Sequence, residues 1–211
     1  MVLAACNNAD GQERSQQQAT TDAHAYTLSE AVFAGGCFWC VEADFEKLPG
    51  VIEAISGYAG GHVVNPTYKQ VVRGGTGHYE AAKIIYDPSV VSYEELLEHF
   101  WTTVDPTDDG GQFCDRGQSY ETAIFVTSTQ IEIAQLSKQI LQNSGRLKDD
   151  VVTPIITAGS FYKAETYHQD YYKKNPIRYK YYRNGCRRDK RIKQVWGRNA
   201  APIFLQYLRP G

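Results

Sequence analysis

Methionine is almost absent from this sequence, because the only Met among its 211 residues is Met1. No internal thioether is therefore open to oxidation. The 18 Gly and 8 Pro are spread along the chain, which excludes collagen-like and low-complexity classes. A chain of this length can bury roughly 70% of its extended surface, so one core forms without a metal or disulfide, and we expect a single domain.

Two further absences narrow the class of protein. No run approaches the roughly 18 to 20 consecutive apolar residues that span a bilayer, so the sequence predicts no transmembrane helix. The 22 basic and 24 acidic side chains nearly balance, with a net charge of −2. The protein therefore lacks an overall field that would attract nucleic acid or anionic lipid, and binding of a polyanion would have to be local.

The N-terminal residues resemble the acylation site and tether of a bacterial lipoprotein. Residues 3–6 read Leu-Ala-Ala-Cys, ending at Cys6, and residues 7–25 hold almost no large apolar side chain. A secretory signal needs an apolar run of roughly 7 to 15 residues, and only five residues precede Cys6. We therefore expect a truncated start and a location in the bacterial cell envelope, with a cytoplasmic protein as the alternative.

The expected domain organisation follows from the composition along the chain. Residues 1–25 form a disordered tail or tether, residues 26–200 form one folded domain, and residues 201–211 form a C-terminal tail.

Hydrophobic periodicity predicts alternating strands and helices between residues 27 and 158. The predicted strands are 27–34, 51–58, 80–86, 122–127 and 153–158, and the predicted helices are 37–47, 92–103 and 129–143. Capping boxes at Ser92 and Thr129 open the last two helices. This order predicts an α+β fold, a two-layer sandwich with a ferredoxin-like split βαβ core. Eight Tyr or Phe within residues 161–182 predict an extended, aromatic-rich C-terminal segment packed on the sheet.

Cys37 is the first candidate for chemistry, because it follows a predicted strand and two glycines and begins a predicted helix. Unpaired backbone N–H groups and the positive end of the helix dipole favour a thiolate there. This placement predicts a lowered pKa and a nucleophilic thiol. The alternative interpretation is a buried, inert cysteine.

Glu80 is the candidate acid, because it enters a predicted strand just after a glycine. If Glu80 is buried beside apolar rings, its pKa rises and it acts as a general acid near neutral pH. The alternative is a carboxylate at the rim of the fold, paired with Lys83 or Arg73.

Eight short motifs between residues 32 and 196 occur in an order that resembles a known family. They are Gly36-Cys37-Phe38-Trp39, Gly57-Tyr58, Asn65-Pro66-Thr67-Tyr68, Gly77-His78-Tyr79-Glu80-Ala81, Tyr86-Asp87-Pro88, Phe100-Trp101, Asp105-Pro106 and Asp115-Arg116-Gly117-Gln118-Ser119-Tyr120. This set is similar to the signature of the A class of peptide methionine sulfoxide reductases. The resemblance implies that residues 26–200 form a single catalytic domain.

The resemblance also implies roles for individual residues. The thiolate of Cys37 would attack the sulfoxide sulfur, and the carboxylic acid of Glu80 would protonate the departing oxygen. The phenols of Tyr68 and Tyr120 would hold that oxygen by hydrogen bonds that strengthen as negative charge develops.

The implied substrate is methionine sulfoxide, in oxidised proteins, in peptides or free. Phe38 and Trp39 would form an apolar wall for the methyl group on sulfur, a chiral choice that selects the S epimer. Asp115 would hold the substrate or order the pocket. The resemblance implies no bound cofactor, and we expect a monomer.

A second thiol must condense with the Cys37 sulfenic acid. Cys186 is the first candidate, because it follows a glycine in the C-terminal segment, where recycling cysteines of this family tend to lie. Cys40 is the alternative, since it forms a C-x-x-C with Cys37 on one helical turn. Cys114 is a third candidate, for which a loop thiol is the preferred interpretation. An external thiol, thioredoxin-like or dithiothreitol, would then reduce the disulfide.

Two other functional classes remain open. A C-x-x-C at a helix N-terminus is also typical of thioredoxin-like dithiol oxidoreductases, but that function would leave Tyr68, Glu80 and Tyr120 without a role. Residues 176–198 hold nine basic side chains against one acidic and three Tyr, a pattern that can bind single-stranded nucleic acid. A solvated basic segment is the preferred interpretation. The five His are scattered and no paired Cys/His spacing occurs, so we predict no metal.

Overall fold

The computed structural model describes residues 27–197 and 203–205. Cys6 and the predicted tether at residues 1–25 lie outside the described residues, as does most of the predicted tail at 201–211. The domain boundaries therefore stay predictions. Within the described part of the chain, none of the helices has the length and apolar character needed to cross a membrane.

A mixed six-stranded sheet forms the centre of the molecule. Its strands are β1 Ser29–Gly35, β2 Val51–Ala59, β3 Tyr79–Tyr86, β6 Thr122–Val126, β7 Ile155–Thr157 and β8 Phe161–Lys163, and a separate hairpin is formed by β4 Gly111–Gln112 and β5 Asp115–Arg116. The spatial order is β7-β6-β1-β3-β2-β8. Neighbouring strands are antiparallel except β6 and β7, which are parallel. The central strands are therefore β1 and β3. Because these two strands are antiparallel, the C-terminal end of β1 lies at the same edge of the sheet as the N-terminal end of β3.

Seven α-helices connect or flank these strands within the described residues. They are α1 Phe38–Phe45, α2 Tyr68–Arg73, α3 Tyr93–Thr103, α4 Ile131–Asn143, α5 Tyr171–Lys174, α6 Pro176–Gly185 and α7 Arg188–Trp196. Short 3₁₀ turns occupy Gln118–Tyr120 and Thr166–His168. Of the predicted α+β fold, the combination of helices with a central sheet is confirmed.

Helix capping explains where two of the helices, α2 and α3, begin. The predicted box at Ser92 is present, with Ser92 Oγ accepting from the N–H of Glu95. The predicted box at Thr129 is wrong, because the N-cap of α4 is Gln130 and its side chain makes no capping bond. A third box, from Thr67 to Gln70, opens the unpredicted helix α2.

The C-terminal segment was expected to be extended, and this expectation is wrong beyond β8. Residues from Tyr171 onward form α5, α6 and α7 instead. Pro176 stands at the first position of α6, where its missing N–H costs nothing. Arg183 donates to the Tyr179 hydroxyl one turn earlier, which stabilises the same helix.

Aromatic packing fixes α1 and α3 on one face of the sheet. The ring of Phe33, on β1, stacks against Phe45 of α1 at 5.0 Å and against Phe100 of α3 at 5.1 Å. All three side chains are fully buried, and each contributes about 1.5–3 kcal/mol by leaving water. This cluster sets the position of α1 and therefore of the residues at its N-terminus.

Candidate active site

Cys37 lies at the tight turn between β1 and α1. Gly36 adopts φ +80°, and a Cβ there would lie 2.6 Å from the Cβ of Gln112, so only glycine fits. Cys37 is the N-cap residue of α1 and is buried. Its sulfur therefore faces the interior of the site rather than bulk water.

Glu80, the second residue of β3, lies against this turn. One of its carboxyl oxygens, Oε2, accepts a hydrogen bond of 3.0 Å from the backbone N–H of Phe38, the first residue of α1. Burial raises the pKa of Glu80 to about 8, and the nearby charge of Asp115 adds to the rise, although the Phe38 bond opposes it. The carboxyl is therefore mostly protonated at pH 7. The alternative of a rim carboxylate paired with Lys83 or Arg73 is wrong, because Glu80 is buried and Lys83 pairs with Glu30.

The prediction of a lowered pKa at Cys37 is wrong in this structure. Burial raises the pKa of Cys37 well above the ordinary value of a cysteine thiol, and Cys40 and Glu80 raise it further. The helix N-terminus does not compensate, because the N–H of Phe38 is used by Glu80. A hydrogen bond from the Cys37 thiol instead lowers the pKa of Cys40 to about 7, with help from the charges of Arg188 and Arg183.

Two phenols complete the polar side of the site. The Tyr120 hydroxyl lies within hydrogen-bond distance of both the Glu80 carboxyl and the Tyr68 hydroxyl. Burial raises the pKa of Tyr68 to about 12 and raises that of Tyr120 as well. Both therefore keep their protons at neutral pH and remain hydrogen-bond donors. The backbone N–H of Tyr68 is bound by Glu165 at 2.8 Å, which anchors the start of α2.

Phe38 and Trp39 form the apolar side. Phe38 is fully buried, and its ring lies 4.9 Å from the His168 ring. The indole N–H of Trp39 donates to Nδ1 of His168 at 3.0 Å, and its ring stacks on Tyr171 at 3.7 Å. These contacts hold both rings rigidly beside Cys37.

Tyr182 is a site residue that the sequence did not single out. Its hydroxyl donates to Oδ2 of Asp115 at 2.5 Å and lies within hydrogen-bond distance of the Cys37 sulfur. A cavity of about 60 Å³ is lined by eight side chains, those of Cys37, Phe38, Trp39, Tyr68, Glu80, Asp115, Tyr120 and Tyr182. The structure thus brings together all seven of the predicted catalytic and substrate-binding residues, and their roles stay predictions.

The remaining cysteines are arranged differently from expectation. Cys114 and Cys186 form a disulfide, while Cys37 and Cys40 are free. The interpretation of Cys114 as a loop thiol is therefore wrong. Cys186, the first candidate for pairing with Cys37, is bonded elsewhere in this state, and its role in recycling stays a prediction.

Two groups of side chains in the described residues come close enough to share a cation. One contains Asp115 and the two cysteines Cys114 and Cys186, but the sulfurs of these cysteines are bonded to each other in the disulfide. The other contains Glu42, Glu46 and Asp170, but the Lys173 ammonium already bridges two of these carboxylates. Neither group points to a metal, and the prediction of none stays untested.

The basic segment at 176–198 is less exposed than its composition suggests. Arg183 is paired with Asp44 and Asp189, and Arg191 is paired with Asp105. Arg188 is 2% exposed. Three of the nine cations therefore serve the fold rather than a polyanion surface.

A buried thiol beside a protonated carboxyl and two phenols, held at a strand-to-helix turn, defines a cysteine-dependent enzyme of mixed α/β fold. The family model described as peptide methionine sulfoxide reductase matches residues 29–200. The chain therefore belongs to the peptide methionine sulfoxide reductase family, whose A class its motifs resemble.

Individual relatives agree with this assignment. The chain is similar to peptide methionine sulfoxide reductase MsrA 2 of Caulobacter vibrioides, with 53% identity over 85% of this chain and 91% of that protein. It is also similar to MsrA of Bacillus licheniformis, with 53% identity over 80% of this chain and 93% of that protein. Among solved structures, methionine sulfoxide reductase A of Corynebacterium diphtheriae superposes with a TM-score of 0.63 at 32% identity, covering 71% of this chain and 76% of that one.

Proposed function

We propose that this protein reduces methionine S-sulfoxide, free or in proteins, to methionine by a thiol-dependent reaction at Cys37. The observation that carries the proposal is the meeting of Cys37, Glu80, Tyr68 and Tyr120 around one cavity beside an apolar wall. A thioredoxin-like dithiol exchange would need the two thiols alone and would leave the protonated carboxyl unused.

In the first step the Cys37 sulfur attacks the sulfoxide sulfur. Sulfoxide oxygen is a poor leaving group until it is protonated, and Glu80 supplies that proton. Hydrogen bonds from Tyr68 and Tyr120 stabilise the oxygen as charge develops on it. The protonated oxygen then moves from the substrate sulfur to the Cys37 sulfur as the bond between the two sulfurs breaks. Two electrons pass from the Cys37 sulfur to the substrate, so methionine is released and Cys37 becomes a sulfenic acid.

The apolar wall gives the reaction its stereochemistry. Phe38 and Trp39 accept the methyl group on sulfur, so the oxygen of one epimer points at Glu80. Asp115, held by the Tyr182 hydroxyl, orders the opposite side of the cavity. We assign this wall to the S epimer, as the resemblance to the A class implies.

Cys40 is the thiol that condenses first with the sulfenic acid, releasing water and forming a disulfide with Cys37. Its thiol contact with Cys37 within one helical turn supports this order. Cys186, the first candidate from the sequence, is the second choice in this proposal, since it becomes available only once its bond to Cys114 is reduced. An external dithiol, thioredoxin-like in the cell or dithiothreitol in the assay, returns the enzyme to its reduced form.

Two further proposals concern architecture and location. The order β6-β1-β3-β2 with antiparallel neighbours supports a ferredoxin-like split βαβ core in a single catalytic domain at 26–200. The Cys114–Cys186 disulfide supports the cell envelope over the cytoplasm, because disulfides persist in oxidising compartments. The proposed location includes lipid attachment at Cys6. We also propose that the protein is a monomer.

The test is reduction of the separated S and R epimers of methionine sulfoxide by the full chain with dithiothreitol. We expect methionine from the S epimer alone, and none from either epimer with Cys37→Ser. Insulin reduction serves as the comparison. Turnover of the R epimer, substantial activity of Cys37→Ser, or insulin reduction without sulfoxide reduction would each refute the proposal.

A further inference from the structure

Cys37 and Cys40 form a buried pair of free thiols on one helical turn. The backbone N–H of Cys40 donates to the carbonyl of Cys37 at 3.0 Å, and the side chains are 5% and 2% exposed. The two thiols lie within hydrogen-bonding reach of each other. A proton can therefore pass directly between them.

Cations lie on the Cys40 side of this pair. Asp44, one turn further along α1, is paired with Arg183 at 2.9 Å and lies 3.8 Å from Nε of Arg188. Two guanidinium groups thus share one buried carboxylate, while two exposed charges, Asp189 paired with Arg183 and Lys47 paired with Asp44, offset each other. A net positive charge remains beside Cys40.

Arg188 is held in place from several directions. Its Nη1 donates to the carbonyl of Gly35 at 3.0 Å, directly before the turn that presents Cys37, and its Nη2 donates to the carbonyl of Thr103 at 2.9 Å. The guanidinium packs 4.6 Å from the ring of Phe113. Its Nε has no hydrogen-bond partner among the described residues. A fully buried cation that is not neutralised by a close carboxylate bond favours negative charge nearby.

We propose that Cys40 accepts the proton of the Cys37 thiol as Cys37 attacks the sulfoxide, and that Arg188 is the positioning residue that holds the required negative charge on Cys40. This inference rests on the proposed function. The Cys37 sulfur forms its bond to the sulfoxide sulfur while its proton moves to the Cys40 thiolate, and the proton for the oxygen comes from Glu80. Cys40, now a thiol, next attacks the sulfenic acid, and its proton leaves with the hydroxyl group as water.

The groups that face the pair decide the pH dependence. Cys40 faces Cys37, Arg188, Arg183, Asp44 and Tyr179, and Cys37 also faces Glu80 and Tyr182. Behind this cluster, Asp189 is paired with Arg183 and Lys47 with Asp44. The rate of the first step rises as Cys40 loses its proton, with a pKa of about 7, and falls as Glu80 loses its own, with a pKa of about 8. A bell-shaped profile follows, whose acidic limb belongs to the thiol pair.

The experiment measures release of the first equivalent of methionine by the reduced full chain, without added reductant, across a series of pH values. We expect Cys40→Ala to lose the acidic limb near pH 7 and to release methionine roughly tenfold or more slowly at that pH. Arg188→Gln is expected to shift the acidic limb upward, and Arg188→Lys is expected to restore it. The exposed neighbour Arg187→Gln is the matched control and keeps the wild-type profile.

Thiolate absorbance in the ultraviolet provides a readout that does not depend on turnover. The wild-type protein should gain one thiolate near pH 7, and Arg188→Gln should gain it at higher pH while keeping its near-ultraviolet circular dichroism. Cys40→Ala with a wild-type rate and acidic limb would overturn the inference, as would Arg188→Gln with an unshifted thiolate. Failure of the wild-type protein to release methionine at any pH would instead refute the proposed function.

Discussion

Replacement of Glu80 by Gln removes the acid while keeping its shape, and the structure gives the size of the effect. With a pKa of about 8, roughly nine tenths of the Glu80 carboxyl is protonated at pH 7, compared with about 1 in 300 at the ordinary value of 4.5. Burial therefore makes Glu80 an effective acid where an exposed Glu would not be. A positioned general acid contributes roughly 10²- to 10⁴-fold, so we expect Glu80→Gln to slow methionine release by at least about 10²-fold.

The same substitution has an opposite effect on stability. The pKa of Glu80 is raised in the folded state, so its contribution is fully present below the unfolded pKa and is lost as pH rises from about 4.5 through about 8. Gln cannot ionise, so the Glu80→Gln protein does not lose this contribution to its free energy of unfolding as the pH rises. The free energy of unfolding of Glu80→Gln should therefore exceed that of the wild type increasingly over this range, by on the order of a few kcal/mol at the alkaline end.

The assay pairs rapid-quench measurement of methionine release with urea unfolding at several pH values. Slow release with equal or greater stability is the expected combination. A normal rate of release at pH 7, or a stability difference that does not change with pH, would show that Glu80 is not a buried acid that protonates the oxygen.

Two further substitutions test the site and its turn. Tyr120→Phe removes a hydrogen-bond donor from the departing oxygen and should lower kcat by up to roughly 10²-fold, whereas Tyr93→Phe, which removes a buried hydroxyl without a hydrogen-bond partner among the described residues, should leave kcat unchanged. Equal kcat values for the two variants would contradict this role of Tyr120. Gly36→Ala would place an alanine at φ +80° with its Cβ 2.6 Å from the Cβ of Gln112. Urea unfolding should therefore show that the free energy of unfolding falls by about 1–2 kcal/mol or more. Gly159→Ala, whose Cβ would meet no atom within 4 Å, should lose far less. A Gly36→Ala protein as stable as Gly159→Ala would refute the close approach at the turn.

Local patterns were sufficient to predict much of the fold. The predicted strand at 122–127 is observed as Thr122–Val126, and the helix opened by Ser92 ends at Thr103 as expected. These elements follow from residues next to one another in the chain. Helix α2 carries an equally local signal, since Thr67 and Gln70 have capping-box spacing, but it lies inside a segment rich in glycine.

Contacts between distant residues were not predictable in the same way. The sign of the pKa shift at Cys37 depends on burial and on Glu80. The Glu80 carboxyl accepts a hydrogen bond from the backbone N–H of Phe38, 42 positions earlier in the sequence. The bond from Cys114 to Cys186 spans 72 positions, and sequence alone does not determine disulfide connectivity. Tyr182 joins the site only because α6 folds back over the β4–β5 hairpin, where it meets Asp115.

Peptide mapping of the reduced wild-type protein, after one turnover with methionine S-sulfoxide and no reductant, tests most directly whether Cys37 is the nucleophile. We expect one equivalent of methionine per chain and a new disulfide that contains Cys37, with Cys40 as its partner and Cys186 as the alternative. Release of methionine while the Cys37 thiol remains free to alkylation would contradict the central claim that Cys37 is the nucleophile.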